Sequence, residues 1–212
     1  MRKILGIFSV ITVLFAFPAY SADMNVGVSL MVGGYETDGT ETEKTVSGVT
    51  SETNSTSKDE TFYGGSLFAE YETDGGIRVG LDWVPLDIKL GSGARNDSSS
   101  GADVAAEADT GDRSAEANIE NLFTIYTHVP IGPMYAILGY HDADVTTTET
   151  LPTSTYPDAS INGWQYGIGM SRDALRFEIV YSDFDSINLT SSNSDTISAD
   201  ADALAAKISV AF

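Results

Sequence analysis

Leu204-Ala-Ala-Lys-Ile-Ser-Val-Ala-Phe212 ends the chain, and its reading decides the fold. Leu204, Ala206, Ile208, Val210 and Phe212 alternate strictly with Ala203, Ala205, Lys207, Ser209 and Ala211. Successive side chains of a strand point to opposite faces, so this is a strand with one apolar face and one face of small or polar groups. The same rhythm runs upstream. Leu175, Phe177, Ile179 and Tyr181 oppose Arg176, Glu178 and Ser182 in a segment starting near Ala174. Near Ile161 to Ser171, Trp164, Tyr166, Ile168 and Met170 oppose Gly163, Gln165, Gly167, Gly169 and Ser171.

The pattern returns at the start of the chain. Near Met24 to Glu36, Val26, Val28, Leu30 and Val32 oppose Asn25, Gly27, Ser29 and Gly33. Near Thr61 to Glu72, Tyr63, Leu67, Ala69 and Tyr71 oppose Gly64, Ser66 and Glu70. From Ile77, Ile77, Val79, Leu81 and Trp83 oppose Arg78, Gly80 and Asp82. At Val84-Pro85 the parity flips and Leu86, Ile88 and Leu90 become the apolar set, as a bulge would arrange. Near Ala117 to Pro130, Ile119, Phe123, Ile125 and Val129 stand against Glu120, Thr124 and His128. Met134 to Val145 is a further strand whose faces are ambiguous. That makes eight segments.

The connectors alternate in length. Thr73-Asp74-Gly75-Gly76, Ile131-Gly132-Pro133 and Arg172-Asp173 are tight turns, whereas long polar loops are expected near 37–60, 91–116, 146–160 and 188–196. No stretch after residue 22 has the length of a transmembrane helix. A membrane protein built from this chain therefore crosses as a closed barrel, because lipid cannot satisfy open backbone groups. The expected fold is all-β: a transmembrane up-and-down antiparallel β-barrel of eight strands, with short periplasmic turns and long extracellular loops. Both termini then lie at the short-turn end.

Alternation alone does not say which face meets lipid. The face rich in Gly, Ala and Ser suits the inside of a narrow barrel, where eight strands leave just enough room for side chains. Aromatics on the apolar face form two girdles: Tyr71, Tyr135, Phe177 and Phe212 toward the short turns, and Tyr63, Trp83 and Phe123 further out. The alternative is a soluble exported barrel or sandwich with these aromatics in its core.

Residues 1–22 read as a secretory signal peptide, which leaves 23–212 as the barrel domain. Arg2 and Lys3 precede an apolar run from Ile4 to Phe17, and Ala19 and Ser21 supply the small-x-small cleavage pattern. No Cys follows, which excludes a lipoprotein, a disulfide framework and a Cys-based zinc site. Without Arg2 and Lys3 the chain carries 9 basic against 31 acidic residues, a net charge of −22. Nucleic acid is excluded as a partner on that balance, since phosphate binding needs Lys and Arg.

The strict alternation ending on Phe212 resembles the terminal strand of bacterial outer-membrane barrels. Ile161-Asn-Gly-Trp-Gln-Tyr-Gly-Ile-Gly-Met170 and Ala174-Leu-Arg-Phe-Glu-Ile-Val-Tyr181 are similar to the last hairpin of the OmpA-like and opacity-protein-like eight-stranded family. The resemblance implies placement in the outer membrane of a Gram-negative bacterium, among lipid and lipopolysaccharide. It also implies that the barrel-assembly machinery reads Phe212 as an assembly signal. It covers the barrel only, without a peptidoglycan-binding domain.

Glu70, Arg78, Asp82, Glu120, Arg176, Glu178 and Lys207 are all expected to point inward and to form a charge network that plugs the lumen. The pairs Asp142/Asp144, Asp183/Asp185 and Asp200/Asp202 fall near loop ends, where carboxylates could hold Ca²⁺ or Mg²⁺ through hard oxygen ligands. Their spacing matches no calcium loop, and a solvated acidic rim is the simpler reading. His128 has no serine near it on its face, and His141 beside Asp142 reads as a solvated rim histidine, so no catalytic residue, cofactor or enzyme activity is expected. Three roles stay open for the barrel: a structural or surface-interaction protein, a channel for small solutes or hydrophobic ligands, and a soluble exported binding protein.

Overall fold

The computed structural model describes residues 24–44, 49–98, 110–150, 155–192 and 194–212, and the expected signal peptide lies outside them. Nine strands follow one another along the chain: β1 (Met24–Lys44), β2 (Thr50–Glu72), β3 (Arg78–Val84), β4 (Ile88–Ser98), β5 (Thr110–Ile131), β6 (Met134–Thr150), β7 (Ala159–Arg172), β8 (Leu175–Thr190) and β9 (Thr196–Ala211). All pairings are antiparallel, in the order β3-β2-β1-β9-β8-β7-β6-β5-β4, and β3 also pairs with β5. That last pairing closes the sheet on itself. β3 and β4 both lie along β5, Leu81 against Ile125 and Ile88 against Ile119. Together they are one stave of an eight-stave barrel, interrupted at residues 85–87 where Pro85 has no N–H to donate.

The first and last strands pair from Gly27↔Ala211 to Thr42↔Thr196, and the amide of Phe212 donates to the Val26 carbonyl at 2.8 Å. The expected outside is outside. Val28, Leu30, Val32, Tyr63, Trp164, Ile168, Phe177, Ile179 and Ile208 are exposed large hydrophobics, while Ser29, Ser66, Glu70, Asp82, Arg176, Glu178 and Ser209 are buried. A soluble barrel has the reverse arrangement. An apolar band that runs round the outside of the staves is what a bilayer's hydrocarbon core requires, so the outer wall is the lipid-facing one. The ambiguous strand, β6, turns Tyr135, Ile137, His141, Ala143 and Val145 inward.

The long loops differ from expectation. Much of 37–60, 91–116, 146–160 and 188–196 is strand, because β1, β2, β4, β5, β6, β8 and β9 run on past the apolar band. Ladder rungs such as Thr40↔Ser55, Thr42↔Thr53 and Glu116↔Thr148 hold these extensions. Their polar composition reports exposure to water, not absence of strand, and threonine suits a pleated surface.

Parity also departs from expectation in the outer half. Val84, Ile88 and Leu90 share the inward side with Asp82, so no flip occurs at Val84-Pro85; of the expected apolar set, Ile88 and Leu90 belong to the lumen and Leu86 is exposed. β5 does flip: a bulge between Glu120 and Phe123, with Asn121 at φ 52°, turns Ile119 inward and Glu120 outward.

Candidate functional site: the lumen

Two storeys fill the barrel. Six of the seven charges expected inside lie in the storey nearest the short turns. Glu70 on β2 is fully buried and takes both guanidinium nitrogens of Arg176 on β8, Nη1 to Oε2 at 2.7 Å and Nη2 to Oε1. The Tyr126 hydroxyl donates to the same carboxylate at 2.9 Å, and the Arg176 guanidinium lies over the Phe68 ring. Lys207 on β9 donates to Asp82 on β3 at 2.6 Å, and the Ser66 hydroxyl donates to that carboxylate at 3.1 Å. Glu178 sits opposite Lys207 in the ladder, accepts the Tyr135 hydroxyl at 2.7 Å and lies 3.7 Å from His128 Nε2. Arg78 crosses the Tyr135 ring at 4.8 Å and reaches Glu72 at the mouth, Nε to Oε2 3.4 Å. The imidazole of His128 is held between the rings of Tyr126 and Tyr135, 4.6 and 4.5 Å between centroids.

The seventh charge, Glu120, is not there. The β5 bulge puts it on the outer side, where it accepts the Thr146 hydroxyl at 2.7 Å. Without it the lumen holds Glu70, Asp82 and Glu178 against Arg78, Arg176 and Lys207, a neutral set. Neutrality matters because an unpaired charge in a poorly hydrated interior costs several kcal/mol.

Sequence reasoning missed the tyrosines. Tyr135 was expected in the lipid-facing girdle but is buried inside. The available signal was glycine: Tyr135 stands opposite Gly169 and Tyr126 opposite Gly80. A Cβ on Gly80 would lie 2.5 Å from the Tyr126 ring, and one on Gly169 equally close to that of Tyr135. Each ring lies flat over the neighbouring strand only because that glycine has no side chain.

The outer storey is apolar. Val84, Ile88, Ile119, Leu122, Ala143, Val145, Ile161 and Phe184 pack there, with Met31, Phe62 and Leu90 beside them. His141 forms part of its floor. It is buried, not solvated at a rim: Nδ1 is bonded to the Thr124 hydroxyl at 2.7 Å, Nε2 to the Ser182 hydroxyl at 2.8 Å, and the ring stacks on Phe184. With a hydroxyl on each nitrogen, the ring has no carboxylate to orient it as a general base. The remaining space is about 60 Å³ in the outer storey and about 10 Å³ in the polar one, the second no larger than a single water needs.

The six candidate metal-binding aspartates lie on the outer surface. Asp183, Asp202, Glu36 and Asp59 fall in one rung across β8, β9, β1 and β2, with Asp200 against Asp38 in a neighbouring rung. Ser186 donates to Asp200. Asp142 and Asp144 stand outward on β6, and Asp185 is exposed on β8 at a bulge. Among the described residues no three carboxylate or imidazole groups are gathered to hold a metal ion. Like charges placed directly opposite repel, so this rim is stable only where water and salt screen it.

Outside the band, the extensions are pinned to one another. Tyr156 donates through its hydroxyl to Glu41 at 3.2 Å and through its amide to Glu149 at 3.1 Å. Burial and the Glu41 carboxylate push its phenol above the usual range. Lys89 donates to Glu116 at 2.7 Å and holds that exposed carboxyl below its ordinary value.

No family model and no curated protein matches the chain. Among solved structures, it is similar to Neisserial surface protein A, at 12% identity and a TM-score of 0.47, over 91% of this chain and 100% of that one. It is also similar to the outer membrane protein OprG from Pseudomonas aeruginosa, at 12% identity and a TM-score of 0.46, over 88% and 96%. The attachment invasion locus protein Ail of Yersinia pestis aligns at 13% identity and a TM-score of 0.36, over 86% and 98%. At such scores and identities no activity or ligand passes from these proteins to this chain.

Proposed function

We propose that this chain is a barrel of the bacterial outer membrane, of the OmpA-like and opacity-protein-like kind, with a structural or surface-interaction role and a plugged interior. The observation that carries the reading is the lumen filled across the apolar band, a neutral charge network below and packed hydrophobics above with about 10 and 60 Å³ left over, while the space of about 390 Å³ between the strand extensions lies beyond that band. A channel for solutes needs a continuous wet path, and eight staves with large side chains inside leave none. What remains for interaction is the acidic outer end. Its carboxylates would repel polyanions and collect divalent cations from the surrounding lipopolysaccharide as a diffuse layer.

Purified protein in planar bilayers should give at most weak, flickering current. A large and stable single-channel current from the wild-type monomer would end the plug reading and favour the solute channel. Orientation has its own test. An epitope inserted between Pro157 and Asp158 should be labelled on intact cells, whereas one at Gly75 should need permeabilised cells. Labelling of both on intact cells would overturn the orientation.

A further inference from the structure

The barrel wall has a seam. β2 pairs with β3 only from Leu67↔Trp83 to Glu72↔Arg78. Beyond Leu67, among the described residues, Thr50 to Ser66 of β2 has no ladder partner on that side, and β4 pairs with β5 alone. Pro85 removes a donor where the stave breaks, and Gly64-Gly65 line the other edge. The seam opens inside the apolar band, since Tyr63 and Leu67 flank those glycines and face outward. An unpaired strand edge in hydrocarbon costs several kcal/mol per open group unless it borders a cavity or a covering group.

Directly behind the seam lies the apolar storey. Phe62, Val84, Ile88 and Leu90 belong to the strands that border the gap and line that chamber, whose exposed surface is mainly apolar, with His141 and the Lys207–Asp82 pair at its floor. The polar network closes the chamber toward the short turns. It is therefore an apolar recess that lies behind an unpaired strand edge of the lipid-facing wall. As it stands it holds about 60 Å³, room for the tip of a chain and no more. Met31, half-buried at its edge, has the unbranched side chain that most readily makes way.

We propose that the seam is a lateral port through which the apolar chamber receives the end of an alkyl chain from the outer leaflet. The occupant is a lipid acyl chain, because the unpaired edge faces hydrocarbon and the recess offers a carboxylate or phosphate headgroup no cation outside the Lys207–Asp82 pair. The chain would cover the seam and fill the chamber together. This goes beyond the plugged-barrel reading but is compatible with it, since nothing crosses the network; conductance tests the plug and leaves the port untouched.

The test uses full-length mature protein in lipid nanodiscs containing a phospholipid with a diazirine at the terminal acyl carbon. After irradiation, adducts are mapped by mass spectrometry. Adducts are expected on inward Leu122 and Phe184 as well as on outward Leu30 and Ile168. The chain has no cysteine, so Ser66→Cys with Val84→Cys, the rung after Leu67↔Trp83, makes a single disulfide across the seam. Closing it should abolish the inward adducts, spare the outward ones, and be reversed by reductant. Should that pair not fold, Ala201→Phe fills the chamber from β9 and should give the same selective loss. Heat-modifiable migration on gels reports folding in each case. Wild type without inward adducts, or a folded closed or filled variant that keeps them, overturns the port.

Discussion

Arg176→Ala should destabilise the barrel more than any other single substitution in the lumen. Glu70 is fully buried, and Arg176 supplies both of its charged donors. Removing the guanidinium leaves a carboxylate with the Tyr126 hydroxyl at 2.9 Å and a long contact from Asn25 at 3.5 Å. Breaking a buried pair this way costs about 3–5 kcal/mol, most of it the cost of the charge left behind. Urea unfolding in lipid vesicles should show the loss as a lower midpoint, and the folded band should disappear from gels at a lower temperature. The double variant Glu70→Gln/Arg176→Met removes both charges and should recover most of the loss. A single variant as stable as wild type, or a double variant no better than the single, would show that the pair is not what holds the lumen together.

Losing Phe212 should reduce the folded barrel in cells far beyond what the side chain's contacts explain. Its ring is exposed to lipid, 74% accessible, and packs against little. Its backbone does more: its amide donates to Val26 and its carbonyl accepts from Val26 at 3.3 Å, which closes the seam between the first and last strands. Two variants separate backbone from ring. Deleting Phe212 removes both hydrogen bonds and should slow refolding into detergent as well as assembly in cells. Phe212→Ser keeps the bonds, so it should refold in vitro like wild type, while its amount in the membrane falls sharply if the assembly machinery reads the aromatic end. Wild-type amounts of Phe212→Ser under tight expression would take the recognition role away from this residue.

The lipid-facing side of β1, β7, β8 and β9 was legible because Val26 to Val32, Trp164 to Met170, Leu175 to Tyr181 and Leu204 to Phe212 alternate without interruption. Period two leaves no freedom there: once one residue faces lipid, all its alternates do. For the same reason Glu70, Arg78, Asp82, Arg176, Glu178 and Lys207 could be set inside before any pairing was known. The ends of the strands were not legible. Thr, Ser, Asp and Glu read alike in a polar loop and in a ladder that stands in water, and only the partner strand distinguishes them.

Composition and alternation by themselves determined a closed all-β barrel with apolar staves outward and a charged interior. Local periodicity suffices for that, because lipid forbids an open backbone and forces closure. The tertiary structure alone decided where periodicity breaks. The bulge at Asn121 sends Glu120 out of the lumen and Ile119 into it, and the interruption at Pro85 keeps Ile88 inward and leaves β2 without a neighbour beyond Leu67. A bulge adds one residue to one strand against its partner, so its effect exists only between two strands, and one strand's sequence does not record it. The tyrosines follow the same rule: Tyr126 and Tyr135 lie inside because Gly80 and Gly169 stand opposite them, residues 46 and 34 positions away that meet them only when the barrel closes.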